Sequence, residues 1–397
     1  MTMAAADQNP GVLSSSAHHG NALLVLLAAM TPEQLETVLA NLTASFPAEE
    51  LLIASPDTPP ANAHPSLRMI TAPANNSSWI LTATDFANAY QLAEKNEAHA
   101  ILMLGPESSS LSASELCALA NPVLAATDLA VPCYSLAPHA GLVNSAILYP
   151  ITRALFASRV RFPLAVDLGL SLRMAKCLSD AARRFTAANQ GGTPLWPANE
   201  AAVAGFAVEQ FDVGPRVQLA GPELNTILPL VTGPLFSDIK AKAAFWQRFR
   251  PLPPVSNAIF TPPAPATETP ADIMPMLSAF RLAYTNLHEI WSLVLPPNSM
   301  LKLKRLAATD APAFSIADDL WARIVYDFLL AYRLRTINRG HLLGALIPLY
   351  LAWVASHFNI SASGASSEDH IEAVAAAFEA EKTYMVSRWR WPDRFNP

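Results

Sequence analysis

Ala22-Leu-Leu-Val-Leu-Leu-Ala-Ala29, followed by Met30-Thr31-Pro32-Glu33, is the stretch that decides the fold. Eight apolar residues without polar alternation read as a strand covered on both faces. The run is far short of the ~20 residues needed to span a bilayer. Thr31, with Pro32 at the first helical position and Glu33 and Glu36 in the early turns, then opens a helix. The same strand-then-helix unit recurs downstream. Short apolar runs stand at 51–54, closed by Ser55-Pro56-Asp57, and at 68–71, 100–104 and 129–134. Helices are expected from Thr84 to about Asn96, from Ser110 or Ser112, and over 171–188. Such alternation builds an open α/β sheet with right-handed crossovers. Residues 144–157 read as a helix interrupted by Pro150, 201–211 as helix-like, 216–220 as a short strand and 236–249 as a helix.

The chain has 397 residues, enough for two or three domains at ~100–200 residues each. It is 52% hydrophobic and 15% charged, with mean hydropathy +0.24, unlike a chain too polar to bury a core. Eight prolines punctuate 251–275, which reads as a linker or a wrapping loop. Beyond it the pattern is helical only, at 273–295, 300–308, 318–336, 341–358 and 367–389. Ser315-Ile-Ala-Asp318 reads as a capping box. In the helix it opens, Leu320, Ile324, Val325, Phe328, Leu329 and Tyr332 share a face. The expected organisation is a mobile N-terminus over 1–20, an α/β domain over 21–250, the Pro-rich segment 251–275 and an all-helical domain over 276–397.

Charge and motifs exclude several classes. The first 152 residues hold only Arg68 and Lys95 as basic residues, against twelve Asp and Glu. That is a poor surface for nucleic acid. Neither G-x-G-x-x-G nor G-x-x-x-x-G-K-[ST] occurs, which disfavours dinucleotide and P-loop enzymes. Cys117, Cys133 and Cys177 have no zinc spacing and read as free thiols of a reducing compartment. Residues 1–20 lack the basic n-region of a secretory signal, and 342–355 is a short apolar run containing Pro348. A cytoplasmic setting without a membrane span is the expectation. No G-x-S-x-G or H-E-x-x-H supports a hydrolase, and His18-His19 has no further ligand nearby in sequence.

Two stretches carry a resemblance. One runs Asn144-Ser-Ala-Ile-Leu-Tyr-Pro-Ile-Thr-Arg153-Ala-Leu-Phe156 through Arg159-Val-Arg161-Phe-Pro-Leu-Ala-Val-Asp167-Leu-Gly-Leu-Ser171. The other runs Phe314-Ser-Ile-Ala-Asp-Asp-Leu-Trp321-Ala-Arg323-Ile-Val-Tyr326-Asp327-Phe328 and on to Pro348-Leu-Tyr-Leu351. Both resemble bacterial glycosyltransferases of the mannosylglycerate and glucosylglycerate synthase type. The resemblance covers most of 80–397 and implies a GT-A domain, with its Rossmann-like open mixed sheet, followed by a helical domain. It further implies transfer of a hexose from a nucleotide sugar to a small acceptor such as glycerate, with retained anomeric configuration. Mg²⁺ or Mn²⁺ would be held by an Asp-x-Asp at a strand end, by a His in a late loop and by the substrate phosphates.

Measured against that pattern, the donor side is altered. In Leu102-Met-Leu-Gly105-Pro-Glu107-Ser108, Gly105 stands at the first Asp and Glu107 at the second. No His lies between His139 and His288, so the late-loop ligand, expected near 224–226, is missing. Near Gly205-Phe-Ala-Val208 the family's functional Asp is absent, with Glu209 close by. The basic, Gly-rich donor segment aligns with Asn75-Asn-Ser-Ser-Trp79, which has neither character. On the acceptor side Asp167 keeps its place behind Ala165-Val166 where the family has Gly-Gly, and Arg153, Arg159 and Arg161 persist.

Each candidate has two readings. Gly105 and Glu107 form either a remnant of the donor and metal site or a solvated turn. Asp167 either contacts an acceptor or pairs with Arg173 or Arg161. Arg153 and Arg161 either bind a carboxylate or phosphate of a ligand or form ion pairs within the chain. Trp321, Tyr326 and Tyr332 read as core, and Arg323 with Asp327 as an i,i+4 pair. The leading expectation is a glycosyltransferase-like protein without donor chemistry and without a resident cofactor, where the family would use Mg²⁺ or Mn²⁺. It would act by binding a protein partner, a second copy, a nucleotide sugar or a small acceptor. The alternative is a metal-independent transferase relying on Arg153, Arg161 and Arg173. A third reading is a scaffold that self-associates through its helical part.

Overall fold

The computed structural model describes residues 22–57, 66–74, 79–137, 139–215, 224–248 and 271–392. The expectations placed on 1–20 (His18-His19 included), on Asn75–Ser78, on 216–220 and on 251–270 lie outside those residues.

The α/β part runs β1 (Leu23–Leu27), α1 (Pro32–Ser45), β2 (Leu51–Ser55), β3 (Arg68–Thr71), α2 (Ala83–Lys95), β4 (Ala100–Leu104), α3 (Ala113–Ala125), β5 (Leu129–Ser135), α4 (Tyr149–Phe156), β6 (Leu168–Ser171), α5 (Leu172–Thr186), α6 (Pro197–Ala204) and β7 (Val208–Pro215). The sheet order is β3-β2-β1-β4-β6-β5-β7. β6 runs antiparallel to β4 and β5, and every other pairing is parallel. Strands β1, β2 and β4 are buried along their whole length, as uninterrupted apolar runs require. In β6, a Cβ at Gly169 would stand 2.2 Å from the Leu119 carbonyl of α3, so only glycine lets that helix lie so close.

Caps follow the sequence in part. Thr31 with Gln34 and Ser112 with Glu115 form capping boxes. The α2 cap is Thr82 rather than Thr84: Asp85 Oδ2 accepts the Thr82 amide at 2.7 Å. The helix-like stretch 201–211 is instead the end of α6 and the start of β7. Gly205 at φ +70° terminates α6, and β-rich Val208-Glu-Gln-Phe211 joins the sheet edge.

The helical part comprises α7 (Leu224–Ala241), α8 (Ala243–Trp246), α9 (Met274–Asn286), α10 (His288–Val294), α11 (Pro297–Ala307), α12 (Asp318–Leu334), α13 (Arg339–Ala362), α14 (Ser367–Ala380) and α15 (Lys382–Arg390). Two helices read as continuous are each broken, at Leu287 and at Glu381. The expected capping box before α12 does not form, since Ala317 is the N-cap and makes no side-chain bond. Nor do Arg323 and Asp327 pair. Arg323 grips Glu381 at 2.9 Å, and the buried Asp327 meets Arg388 and Tyr384 of α15. Among the described residues, α13 is the one helix long and apolar enough to cross a membrane. Protein covers 67% of its most apolar window.

Among the described residues two large hydrophobic clusters form, beside a small one of Tyr149, Ile371 and Ala375. One fills the sheet and its flanking helices. The other joins the C-terminal helices to Ile147, Ile151 and Leu155 of the α4 region. Pro150 does not end that segment. A π-turn over Asn144–Leu148 leads straight into α4. Proline lacks the N–H that would bond the carbonyl four residues back. The Trp321 indole N–H supplies the missing donor, 2.8 Å from Ala146 O. A buried tryptophan of the helical part thus satisfies a backbone group of the α/β part.

Candidate functional site

Beyond the C-terminal ends of β4 and β5 lies a cleft of about 420 Å³, with Trp79, Glu107, Tyr134, His139, Phe162 and Tyr350 among its walls. In open α/β sheets this edge is where ligands sit. The described lining is mostly apolar and contains no Lys or Arg.

The strand tip is closed on itself. Gly105 N–H donates to Asp167 Oδ1 at 2.9 Å, and the Tyr134 hydroxyl donates to Asp167 Oδ2 at 2.7 Å. Asp167 is fully buried. Its carboxylate therefore clips β4 to the turn before β6 and to β5. Of its two sequence readings, the pairing with Arg173 or Arg161 is not met: Arg173 holds Asp128, and Arg161 holds Glu368. Above Gly105 sits Val166, and a Cβ at position 105 would lie 2.6 Å from Val166 Cγ2. Positions 105 and 166 are therefore sterically coupled. A methyl group of Val166 fills the space that a side chain at 105 would need.

Glu107 lies in a 3-10 turn, Pro106–Ser110, and lines the cleft. A hard divalent cation needs several oxygen ligands. Here Gly105 offers none, and Asp167 already accepts a bond on each oxygen. Among the described residues no group of three His, Cys, Asp or Glu side chains converges. Among the described residues, this strand tip does not supply such a ligand set for Mg²⁺ or Mn²⁺.

Arg153 and Arg161, the arginines expected on an acceptor side, face α14. Arg153 Nε lies 2.9 Å from Glu379, and its guanidinium also reaches Glu372 and, at 3.1 Å, the Tyr149 hydroxyl. Tyr149 in turn donates to Glu372 at 2.6 Å. Burial pushes the Tyr149 phenol up, and the Glu372 carboxylate it donates to pushes it further. For Arg153, burial works against its charge, yet Glu379, Tyr149 and Glu372 together hold it above the usual guanidinium range. Arg161 makes a two-point contact with Glu368, at 2.9 and 3.1 Å. Its guanidinium carbon also lies 5.1 Å from the Tyr149 ring centre. Arg173 is bound by Asp128, whose carboxyl is desolvated but is held low by Arg173, the Ala207 amide and Ser171.

Sequence reasoning missed Tyr134 and the three glutamates. Tyr134 gave no signal, because its partner is 33 residues away. Glu368, Glu372 and Glu379 did carry one. They stand four and seven residues apart and so share a helix face. Trp321, Tyr326 and Tyr332 are core residues, as their spacing suggests.

The fold class is an open mixed α/β sheet followed by a helical region. No family model matches this chain, and no curated protein does. Solved structures similar to it include glucosyl-3-phosphoglycerate synthase from Mycobacterium tuberculosis in complex with uridine diphosphate. That match has 12% identity, covers 56% of this chain and 80% of that one, and has a TM-score of 0.36. The same enzyme with phosphoglyceric acid matches at 14% identity over 56% and 80%, TM-score 0.35. With Mn²⁺, uridine-diphosphate-glucose and phosphoglyceric acid it matches at 13% over 56% and 79%, TM-score 0.35.

Proposed function

We propose that this chain is a glycosyltransferase-like protein that acts by binding and does not carry out metal-dependent hexose transfer. The observation that carries the reading is the exchange at the strand tip, where Val166 fills the side-chain space at Gly105 and Asp167 is spent on Gly105 and Tyr134. Loss of one charge-stabilising group commonly costs about 10²–10³ in rate, and the sequence departs from the resembled pattern at several such positions at once. The metal-independent alternative needs cations near a leaving diphosphate. Against it, Arg153, Arg161 and Arg173 are each engaged by carboxylates of this chain.

The test is to incubate the purified chain with a panel of nucleotide sugars, Mg²⁺ or Mn²⁺, and glycerate or 3-phosphoglycerate. The expected result is no nucleoside diphosphate above the protein-free rate. Turnover abolished by a chelator would overturn the proposal. Turnover that survives the chelator and falls with Arg153→Ala would favour the metal-independent enzyme instead.

A further inference from the structure

A second group of reactive side chains lies away from the strand tip, where α12, α13 and α14 meet. Ser367 Oγ stands 2.9 Å from His357 Nε2. His357 Nδ1 stands 2.7 Å from His370 Nδ1, and His370 Nε2 stands 3.2 Å from Asp318 Oδ1. Each contact is of hydrogen-bond length, and the four groups form one chain.

The direction of that chain follows from its last member. An ionised carboxylate only accepts, so His370 Nε2 carries a proton and donates it to Asp318. A neutral His370 then presents a bare Nδ1, to which His357 Nδ1–H donates. His357 Nε2 is left bare and accepts the Ser367 hydroxyl. One assignment thus satisfies these three contacts. It places a base on the serine and, behind that base, a carboxylate reached through a second imidazole. This is the logic of an oriented nucleophile–base pair, with an extra histidine in the relay.

The frame is rigid and the nucleophile is reachable. His357 is fully buried and His370 nearly so. Both rings stack on the buried Trp353 indole, at interplanar angles of 14° and 16°. Ser367 is only half-buried, beside the exposed Gly364-Ala-Ser366. It is also the first residue of the 14-residue helix α14, whose N-terminal end favours a developing negative charge.

We propose that Ser367 is an acyl-accepting nucleophile, with His357 as its base, His370 and Asp318 as positioning residues, and small acyl esters as its substrate class. Ser367 Oγ bonds to the ester carbonyl carbon. Its proton passes to His357 Nε2 and then to the departing alkoxide as the ester C–O bond breaks. Water, deprotonated by the same nitrogen, later releases the acid and restores the hydroxyl. Ser367 does not line the strand-tip cleft, so this reactivity is independent of any ligand held there.

The full chain is treated with a fluorophosphonate probe, and the adduct is located by peptide mass spectrometry. Release of nitrophenol from p-nitrophenyl acetate is followed in parallel. The expected result is a single adduct on Ser367, lost in Ser367→Ala. His357→Gln should slow labelling at least tenfold, while Ser363→Ala, an exposed neighbour, should leave it unchanged. Circular dichroism melts on each variant separate loss of reactivity from loss of fold. Absence of labelling in the wild-type chain, or an adduct rate on Ser367 that the folded His357→Gln variant retains, would overturn the proposal and leave the four groups as a helix clamp. Neither outcome bears on the strand-tip reading.

Discussion

The strand tip and the α14 face use the same side-chain chemistry to opposite ends. At the tip, one buried carboxylate is satisfied by neutral donors, the Gly105 amide and the Tyr134 hydroxyl. At α14, three glutamates neutralise two nearly buried arginines of the α/β part across the interface. The first arrangement shapes a backbone turn; the second joins two parts of the molecule. Neither leaves its charges facing the cleft. The comparison teaches that Asp167, Arg153 and Arg161 each hold the chain together through partners of its own.

That contrast can be broken by substitution, and the largest effect is expected at the interface. Arg153→Ala removes a guanidinium of 8% side-chain exposure and strands Glu372 and Glu379, which are 45% and 26% exposed. Breaking a buried pair costs about 3–5 kcal/mol, and water at the glutamates reduces this to roughly 2–3 kcal/mol. Denaturant unfolding checks it, and a loss under about 0.5 kcal/mol would show that the pair does not join the two parts. Next comes the tip. Gly105→Asp drives a Cβ into Val166, and such overpacking costs about 1–3 kcal/mol. Combined with Val166→Gly, the loss should fall short of the sum of the single changes by about 1 kcal/mol. Strict additivity would remove the exchange argument. The smallest effect sharpens the comparison. Asp167→Asn keeps an acceptor for Gly105 and should cost about 1 kcal/mol, whereas Asp167→Ala, which orphans a buried amide and hydroxyl, should cost roughly twice that. Equal losses in thermal or denaturant unfolding would mean that the negative charge itself matters at the tip.

Much of the sheet was legible. Unbroken apolar runs at 23–27, 51–54 and 100–104 read as strands covered on both faces, and Thr31 and Ser112 mark helix starts by local hydrogen bonding. Elements that depend on distant contacts were read less well. β7 looked helical because its apolar spacing is ambiguous over so short a run, and pairing with β5 decides it. Pro150 looked like a break because its missing donor comes from Trp321, 175 residues from the carbonyl it serves. Of the candidate site, the identities of Gly105 and Glu107 at the strand tip could be read directly, but the partners of Asp167, Arg153 and Arg161 could not.

The serine relay is the sharpest case of this division. No linear motif announces it, since Asp318, His357, Ser367 and His370 come from three helices. By itself the sequence determined the alternation of strand and helix that builds the sheet, because local sterics and burial patterns act over a few residues. Only tertiary structure decided which partner each charged side chain meets. Hydrogen bonds and ion pairs act over about 3 Å of space without regard to separation along the chain.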